Sequence, residues 1–158
     1  FIADVIHSYV ALFEALAAGA LPDLSIGNLT ASLIGDGIYN TTGAGQTVAT
    51  SASSRKAGQF YFKVQNDSAN GGLVSIRATG GDRFMQLGYF DVSDGRRNVT
   101  AGLTREGVHL ELPGLAEKAY AATVMVKRAA KKRSRALIIQ SGADPALRDL
   151  SISLLRIK

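Results

Sequence analysis

The sequence predicts a mainly β protein, an antiparallel β-sandwich with one N-terminal amphipathic α-helix. Along residues 58–66, Phe60, Phe62 and Val64 alternate with polar residues, which is the period-two pattern of a strand buried on one side. After residue 22, similar short segments recur between turns rich in Gly, Asn, Asp and Ser. The chain of 158 residues is 46% hydrophobic and 20% charged, which excludes a disordered protein and fits one domain with an appended element.

The first element is a predicted helix over residues 1–20. Its apolar face has three- and four-residue spacing, and Gly19 and Pro22 end it. That face consists of Ile2, Val5, Ile6, Tyr9, Val10, Leu12, Phe13 and Leu16. The helix either packs on its own sandwich or packs against copies of itself or a partner. We divide the chain into an assembly helix, residues 1–21, and a sandwich, residues 22–158.

The strands follow in order along the rest of the chain. The predicted segments are 24–33 with an interruption at Gly27, 47–53, 58–66, 73–79, 84–92, 98–104, 108–112, 120–127, 136–140 and 150–157. The strand over 73–79 is expected to pair back on 58–66 as a hairpin across Asn70-Gly71-Gly72. Nine or so strands at this spacing match an immunoglobulin-like sandwich.

The positive charge of the chain is concentrated in one predicted hairpin loop and its flanks. This basic patch contains Lys127, Arg128, Lys131, Lys132, Arg133 and Arg135. Removing these six of the 18 basic residues leaves 12 against 13 acidic ones, a net charge of −1. The patch is either a solvated loop or a site for polyanions such as acidic surface glycans. Nucleic acid is an unfavoured partner, because no aromatic residue is interleaved with the cations.

Four of the five asparagines lie in N-glycosylation acceptor patterns. These are Asn28, Asn40, Asn66 and Asn98, each followed two residues later by Ser or Thr. The alternative explanation is that turns favour Asn and Thr for conformational reasons. We treat the four as possible glycosylation sites.

The residues predict neither catalysis nor a cofactor. The chain has no cysteine, so thiolate chemistry and disulfides are excluded. His7 and His109 lie in different predicted elements, and the aspartates do not form the dense loop of a specific calcium site. No run of 18 apolar residues is present, so the sequence predicts no ordinary membrane span. We therefore expect no enzyme, no metal and no cofactor.

Several short motifs in a fixed order resemble a known family. They are the segments 36–46, 65–67, 98–102, 112–115 and 141–145. Together they resemble the immunoglobulin-like repeats of large secreted or cell-surface bacterial and archaeal proteins, of the cell-adhesion-related type. The resemblance covers about residues 23–158. It implies an extracellular or cell-surface structural or adhesive module, and it implies no catalytic residues.

A weaker resemblance concerns the N-terminus. Mature type IV pilins often begin with Phe and an N-terminal helix that packs in a filament core, with a sandwich head outside in archaeal forms. The present chain shares this layout but has Val5 where those proteins have Glu.

Two functional hypotheses follow from the sequence. The first is a subunit of an extracellular, pilus-like filament or surface layer, a homo-oligomer assembled by burying the apolar face of the 1–21 helix between copies. The alternative is an adhesive or carbohydrate-binding module of a larger secreted protein. That alternative requires exposed aromatic residues on one sandwich face, with Tyr39, Tyr61, Tyr89 and Phe90 as candidates.

Overall fold

The computed structural model describes residues 19–127, 133–144 and 147–158. Ten strands and one short helix follow in the order β1 Pro22–Gly27, β2 Thr47–Ala52, β3 Gly58–Asn66, β4 Gly72–Ala78, β5 Met85–Asp91, β6 Arg97–Asn98, α1 Thr100–Thr104, β7 Val108–Leu112, β8 Glu117–Val126, β9 Arg133–Asp144 and β10 Leu147–Ile157. The prediction of a mainly β sandwich is confirmed. Most of the predicted 1–20 helix lies outside the described residues.

The strands form two five-stranded sheets. The first sheet has the order β1-β3-β8-β5-β6, and the second has the order β2-β10-β9-β4-β7. All pairings are antiparallel except that of β2 with β10, which is parallel. The arrangement is consistent with an immunoglobulin-like sandwich, in which strands that are consecutive in sequence often lie in different sheets.

The core lies between the two inner faces. In β3, residues 58, 60, 62, 64 and 66 are buried, and the residues between them are partly or fully exposed. The ring of Phe62 stacks on Tyr120 with centroids 5.0 Å apart and meets the edge of Tyr89 at 6.2 Å. Leu137, Ile139 and Leu155 are fully buried in the second sheet. The alternation predicted for β3 thus reflects burial of one face.

Three predicted elements are wrong. The predicted hairpin of 58–66 with 73–79 does not form, because β4 lies in the second sheet and pairs with β7 and β9. Residues 29–33 are not strand, since β1 ends at Gly27 and a long crossover begins there. The predicted strand over 98–104 is instead the two-residue β6 followed by α1.

The basic patch is not a hairpin tip. Strand β8 belongs to the first sheet and β9 to the second, so these two strands do not form a hairpin. Arg128, Lys131 and Lys132 lie outside the described residues, and Arg133 begins β9.

The crossover over residues 28–46 covers the outer face of β1. Asp23 and Ser25 alternate with the core residues Leu24 and Ile26 yet are only 2% exposed, and Gly37 in this crossover donates its N–H to the Asp23 carboxylate. Gly35 adopts a φ of +109°, and a Cβ there would lie 2.8 Å from the carbonyl oxygen of Leu24. Only glycine permits so close an approach in this conformation. Strands β3, β5 and β8 of the same sheet have partly or fully exposed residues on their outer face.

Candidate functional site

The described residues contain no assembled catalytic or metal site. Within residues 19–127, 133–144 and 147–158, no group of three His, Cys, Asp or Glu side chains could hold a metal ion. His109 lies exposed on β7, and His7 lies outside the described residues. Among the helices in the described part of the chain, none is long and apolar enough to cross a membrane.

The two described side chains of the basic patch have different surroundings. The Arg135 guanidinium forms an ion pair with Asp82. Asp82 also accepts hydrogen bonds from the backbone N–H groups of Phe84, at 2.7 Å, and Met85, at 2.9 Å. These bonds and the Arg135 charge lower the pKa of the Asp82 carboxyl. Lys127 is exposed, and its ammonium lies 3.5 Å from the carbonyl oxygen of Asp82.

The four acceptor asparagines differ in exposure. Asn28 and Asn98 are exposed and Asn40 is half-buried. Asn66 is fully buried, and its amide nitrogen donates to the carbonyl oxygens of Asn70, Leu112 and Pro113 at 2.8–3.2 Å. The folded domain therefore has no space for a glycan at Asn66. Glycosylation at Asn28, Asn40 and Asn98 stays a prediction.

The four candidate aromatic residues are not gathered on one face. Tyr89 is fully buried in the core, and its hydroxyl donates to the carbonyl oxygen of Thr79 at 2.8 Å. Burial raises the pKa of that hydroxyl. Tyr39 lies in the 28–46 crossover, where its hydroxyl donates to Asp67. Only Tyr61 and Phe90 share a face, the outer face of the first sheet.

Tyr61 and Phe90 lie on either side of Ala121. Ala121 on β8 is the register partner of Tyr61 on β3 and also of Phe90 on β5. Because register partners project to the same side of a sheet, the three side chains form one row across three strands. Two inter-strand spacings put the flanking positions about 10 Å apart. Ala121 is on the outer face yet 0% exposed, which indicates that larger neighbours cover it. We call these three residues the aromatic row.

The positions beside the aromatic row are small or uncharged and polar. The next row toward the C-terminal end of β8 contains Gln59, Thr123 and Gly88 in register. A Cβ on Gly88 would lie 3.1 Å from a Phe90 ring carbon, so the Phe90 ring lies back over Gly88. The guanidinium of Arg96 is 5.9 Å from the centroid of that ring. The result is a row with two half-buried rings, one of them under the Arg96 guanidinium, with amide and hydroxyl groups next to it.

The second sheet has an open groove on its outer face, with a volume of about 460 Å³. Its lining includes Arg77, Glu106, His109 and Gln140. Arg77 donates to the carbonyl oxygen of Arg105 at 2.7 Å and is thereby held at the edge. The described lining contains no pair of aromatic rings, so the first sheet offers the better-defined recognition surface.

A buried polar cluster fixes the 28–46 crossover on the sandwich. The Asp149 carboxylate accepts hydrogen bonds from Leu24 N at 2.7 Å, Gln46 Nε2 at 3.0 Å and Asn40 N at 3.1 Å. Asp23 accepts one from Gly37 N at 3.0 Å. Burial, with a smaller contribution from nearby carboxylates, raises the pKa of Asp23 to about 6. This cluster is structural, and no sequence pattern indicated it.

Comparison with known proteins establishes the fold. No protein-family model matches the sequence, and a search of the curated proteins finds no match. The N-terminal domain of PorA is similar at a TM-score of 0.50 with 15% identity, over 85% of this chain and 97% of that chain. These comparisons show the fold alone.

Two further solved structures are similar. One is a family 123 glycoside hydrolase from Clostridium perfringens, at a TM-score of 0.51 with 10% identity, over 87% of this chain. The present chain spans only 27% of the hydrolase chain. The other is the CupB6 tip adhesin from Pseudomonas aeruginosa, at a TM-score of 0.45 with 7% identity, over 71% of this chain and 39% of that chain. These similarities are too distant to transfer a function.

Proposed function

We propose that this chain is a non-enzymatic, extracellular adhesive module that binds carbohydrate on the outer face of its first sheet. The observation that carries the proposal is the aromatic row, in which Tyr61 and Phe90 lie in register on either side of Ala121. Flat aromatic faces bind the apolar faces of sugar rings, and the surrounding polar groups determine orientation.

The surroundings of the aromatic row fit this ligand class. Gln59 and Gln86 are exposed on the same face, and Thr123 lies beside the row. Amide and hydroxyl groups both donate and accept hydrogen bonds, as sugar hydroxyls do. The strands of a two-sheet core hold these side chains, so binding requires little ordering of the protein.

Two observations support the proposed extracellular location. The motifs in the sequence resemble cell-surface repeats, and the fold is the sandwich expected for them. A binding role needs no acid, base or nucleophile, and we assign none. Assembly into a filament through residues 1–21 stays a prediction, because residues 1–18 lie outside the described part of the chain.

The test compares variants of the aromatic row with a matched control on the other sheet. Tyr61→Thr and Phe90→Thr remove a ring but keep a residue that favours strands. Each is expected to weaken binding to an immobilised polysaccharide about tenfold, the factor that corresponds to about 1.4 kcal/mol. The control, Leu73→Thr with Leu154→Thr, removes exposed apolar side chains from the second sheet and should leave binding unchanged. Equal binding by all variants would contradict the proposal.

A further inference from the structure

A cationic groove lies at one end of the outer face of the first sheet. Its volume is about 330 Å³. The described lining consists of Ser53, Ser54, Arg55, Lys56, Ala57, Gln86, Met125, Val126 and Lys127. Arg55, Lys56 and Lys127 are exposed, and none of the described lining residues carries a carboxylate. The groove therefore offers three cations to a ligand with no competing anion in its described lining.

Hydrogen bonds fix the backbone of the turn between β2 and β3, which carries Arg55 and Lys56. Ser53 N donates to Lys56 O at 2.8 Å, and Lys56 N donates to the Ser53 hydroxyl oxygen at 3.1 Å. The third cation comes from the other side, where Lys127 N donates to Phe84 O at 2.9 Å and the Lys127 ammonium donates to Asp82 O at 3.5 Å. Lys127 is 71 residues from Lys56, so only the packing of the sandwich brings the cations together.

The cationic groove is continuous with the aromatic row. Gln86 and Met125 line the groove and are register partners on the outer face of the first sheet. Met125 is four residues after Ala121 on β8, a distance of about 13 Å along a strand. Between them lies the row that contains Gln59, Thr123 and Gly88. An extended ligand could therefore contact the rings, the polar row and the cations without leaving this face.

The cations at the two ends of this surface have different partners. At the end away from the groove, the guanidinium of Arg96 lies over the Phe90 ring, 5.9 Å from its centroid. Lys63 lies on the same outer face beyond Tyr61, but its ammonium is 2.8 Å from Glu117. None of the three groove cations forms an ion pair with a described lining residue, although the Lys127 ammonium donates to the backbone carbonyl oxygen of Asp82 at 3.5 Å. An oligonucleotide carries a phosphate at every step and favours a positive surface along its whole path, with several stacking rings. The outer face offers two rings in one row and a group of three cations at one end, with Arg96 over one of the rings, which suits a sugar chain that carries a few anionic groups.

We propose that the ligand is an acidic polysaccharide, with sugar rings on Tyr61 and Phe90 and an anionic substituent in the cationic groove. This inference rests on the proposed function, carbohydrate binding, and specifies in addition that the carbohydrate is negatively charged. The anionic group is a carboxylate or a sulfate, because Arg and Lys bind both through charge-assisted hydrogen bonds. The contribution of the groove should weaken as salt concentration rises.

The test measures affinities at fixed ionic strength for probes that differ only in charge. The carboxylate pair is polygalacturonate and its methyl ester, the sulfate pair is dextran sulfate and dextran, and a single-stranded oligonucleotide is the competing class. The wild-type protein should bind an acidic probe at least tenfold more tightly than its neutral counterpart. The combined variant Arg55→Gln, Lys56→Gln, Lys127→Gln should bind both members of the pair equally.

The matched control removes three positive charges, as the groove variant does, but at positions outside the groove. Arg77→Gln, Arg105→Gln and Arg156→Gln change three exposed cations outside the groove lining. This control should keep the preference for the acidic probe. If it loses that preference as fully as the groove variant does, the effect is one of net charge and the inference is overturned. Circular dichroism and thermal unfolding confirm that each variant is folded.

The outcomes separate this inference from the proposed function. Equal wild-type affinity for acidic and neutral probes, with loss of binding in Tyr61→Thr, would overturn the acidic ligand and keep carbohydrate binding. Tighter binding of the oligonucleotide than of any polysaccharide would overturn both. Failure to bind any probe would also count against both. Charge preference that survives in the groove variant would overturn the role of Arg55, Lys56 and Lys127.

Discussion

Asp149 shows how much one buried side chain can organise. Its carboxylate is 1% exposed and accepts backbone hydrogen bonds from β1, from the crossover and from its own neighbour Leu150. The side chain of Gln46 adds a further donor. One residue near the start of β10 thus holds together segments more than 100 positions apart in sequence.

The first prediction concerns the removal of that carboxylate. Asp149→Ala leaves several buried donors without an acceptor and should lower the free energy of unfolding by about 3 kcal/mol or more. Urea denaturation measures the change. Asp36→Ala is the control, because Asp36 is an exposed carboxylate in the same crossover and its loss should cost less than about 0.5 kcal/mol. Similar midpoints for both variants would contradict the role of Asp149.

The raised pKa of Asp23 predicts how the stability of the fold depends on pH. Its pKa of about 6 in the folded protein is above the unfolded value of 3.8, so between these pH values the folded state binds more protons. The contribution of Asp23 to stability is therefore present at low pH and lost as pH rises through 6. Asn stays neutral and can still accept the Gly37 N–H bond.

Asp23→Asn should accordingly be more stable than the wild type at pH 7.5, with a melting temperature higher by about 2–4 °C. The difference should shrink toward pH 4.5, where Asp23 is mostly protonated. Thermal unfolding at several pH values checks this. A constant difference across the range would show that the effect is not due to ionisation of Asp23.

At the scale of elements, α1 replaces a predicted strand because local polar contacts favour a turn. Asn98 Oδ1 accepts a hydrogen bond from Thr100 N at 3.0 Å, and the Thr100 hydroxyl accepts one from Tyr89 N at 2.8 Å. Leu103 is fully buried and anchors the helix, which is followed by Gly107 at a φ of +88°. The alternation of apolar and polar residues in the sequence gives no indication of these contacts, so it predicts a strand here.

The prediction at this scale is that Leu103→Ala destabilises the domain by about 2–5 kcal/mol, the cost of removing a buried Leu side chain. The control is Leu115→Ala, since Leu115 is 69% exposed and should contribute less than about 0.5 kcal/mol. Chemical denaturation compares the two. A small effect of Leu103→Ala would mean that α1 is not anchored in the core.

At the scale of the whole molecule, the two sheets bury their inner faces against each other. The buried core cluster extends from Ala20 to Ile157 and includes strands of both sheets. Each sheet thus supplies the apolar surface that the other must cover. Because the two sheets cover each other, the sandwich should fold without the N-terminal segment, whose predicted role is assembly.

Deleting residues 1–18 should therefore leave a folded, monomeric sandwich. Thermal unfolding, sedimentation and negative-stain electron microscopy of the full and shortened chains provide the measurement. Filaments that vanish on deletion would support assembly through this segment. An unfolded shortened protein would instead show that the segment belongs to the core of the domain.

Much of the strand content could be predicted from the sequence, and little of the candidate site could. Phe60, Phe62 and Val64 identify β3 because alternation is a local property of the chain. The sequence indicates Tyr61 and Phe90 as candidates but does not distinguish them from Tyr89, whose side chain lies in the core. Arg55 and Lys56 were missed, since nothing near them in sequence indicates that they meet Lys127.

Short half-buried strands can be predicted from the sequence alone, because apolar periodicity and turn residues act over a few positions. The pairing partners of each strand, in contrast, follow from the tertiary structure. Strand β4, residues 72–78, pairs with β9 in the second sheet and not with β3, its neighbour in sequence. Strand β2 pairs with β10 in parallel. Strand pairing depends on which faces are buried against each other across the whole chain, and the same packing brings the aromatic row and the cationic groove together on one surface.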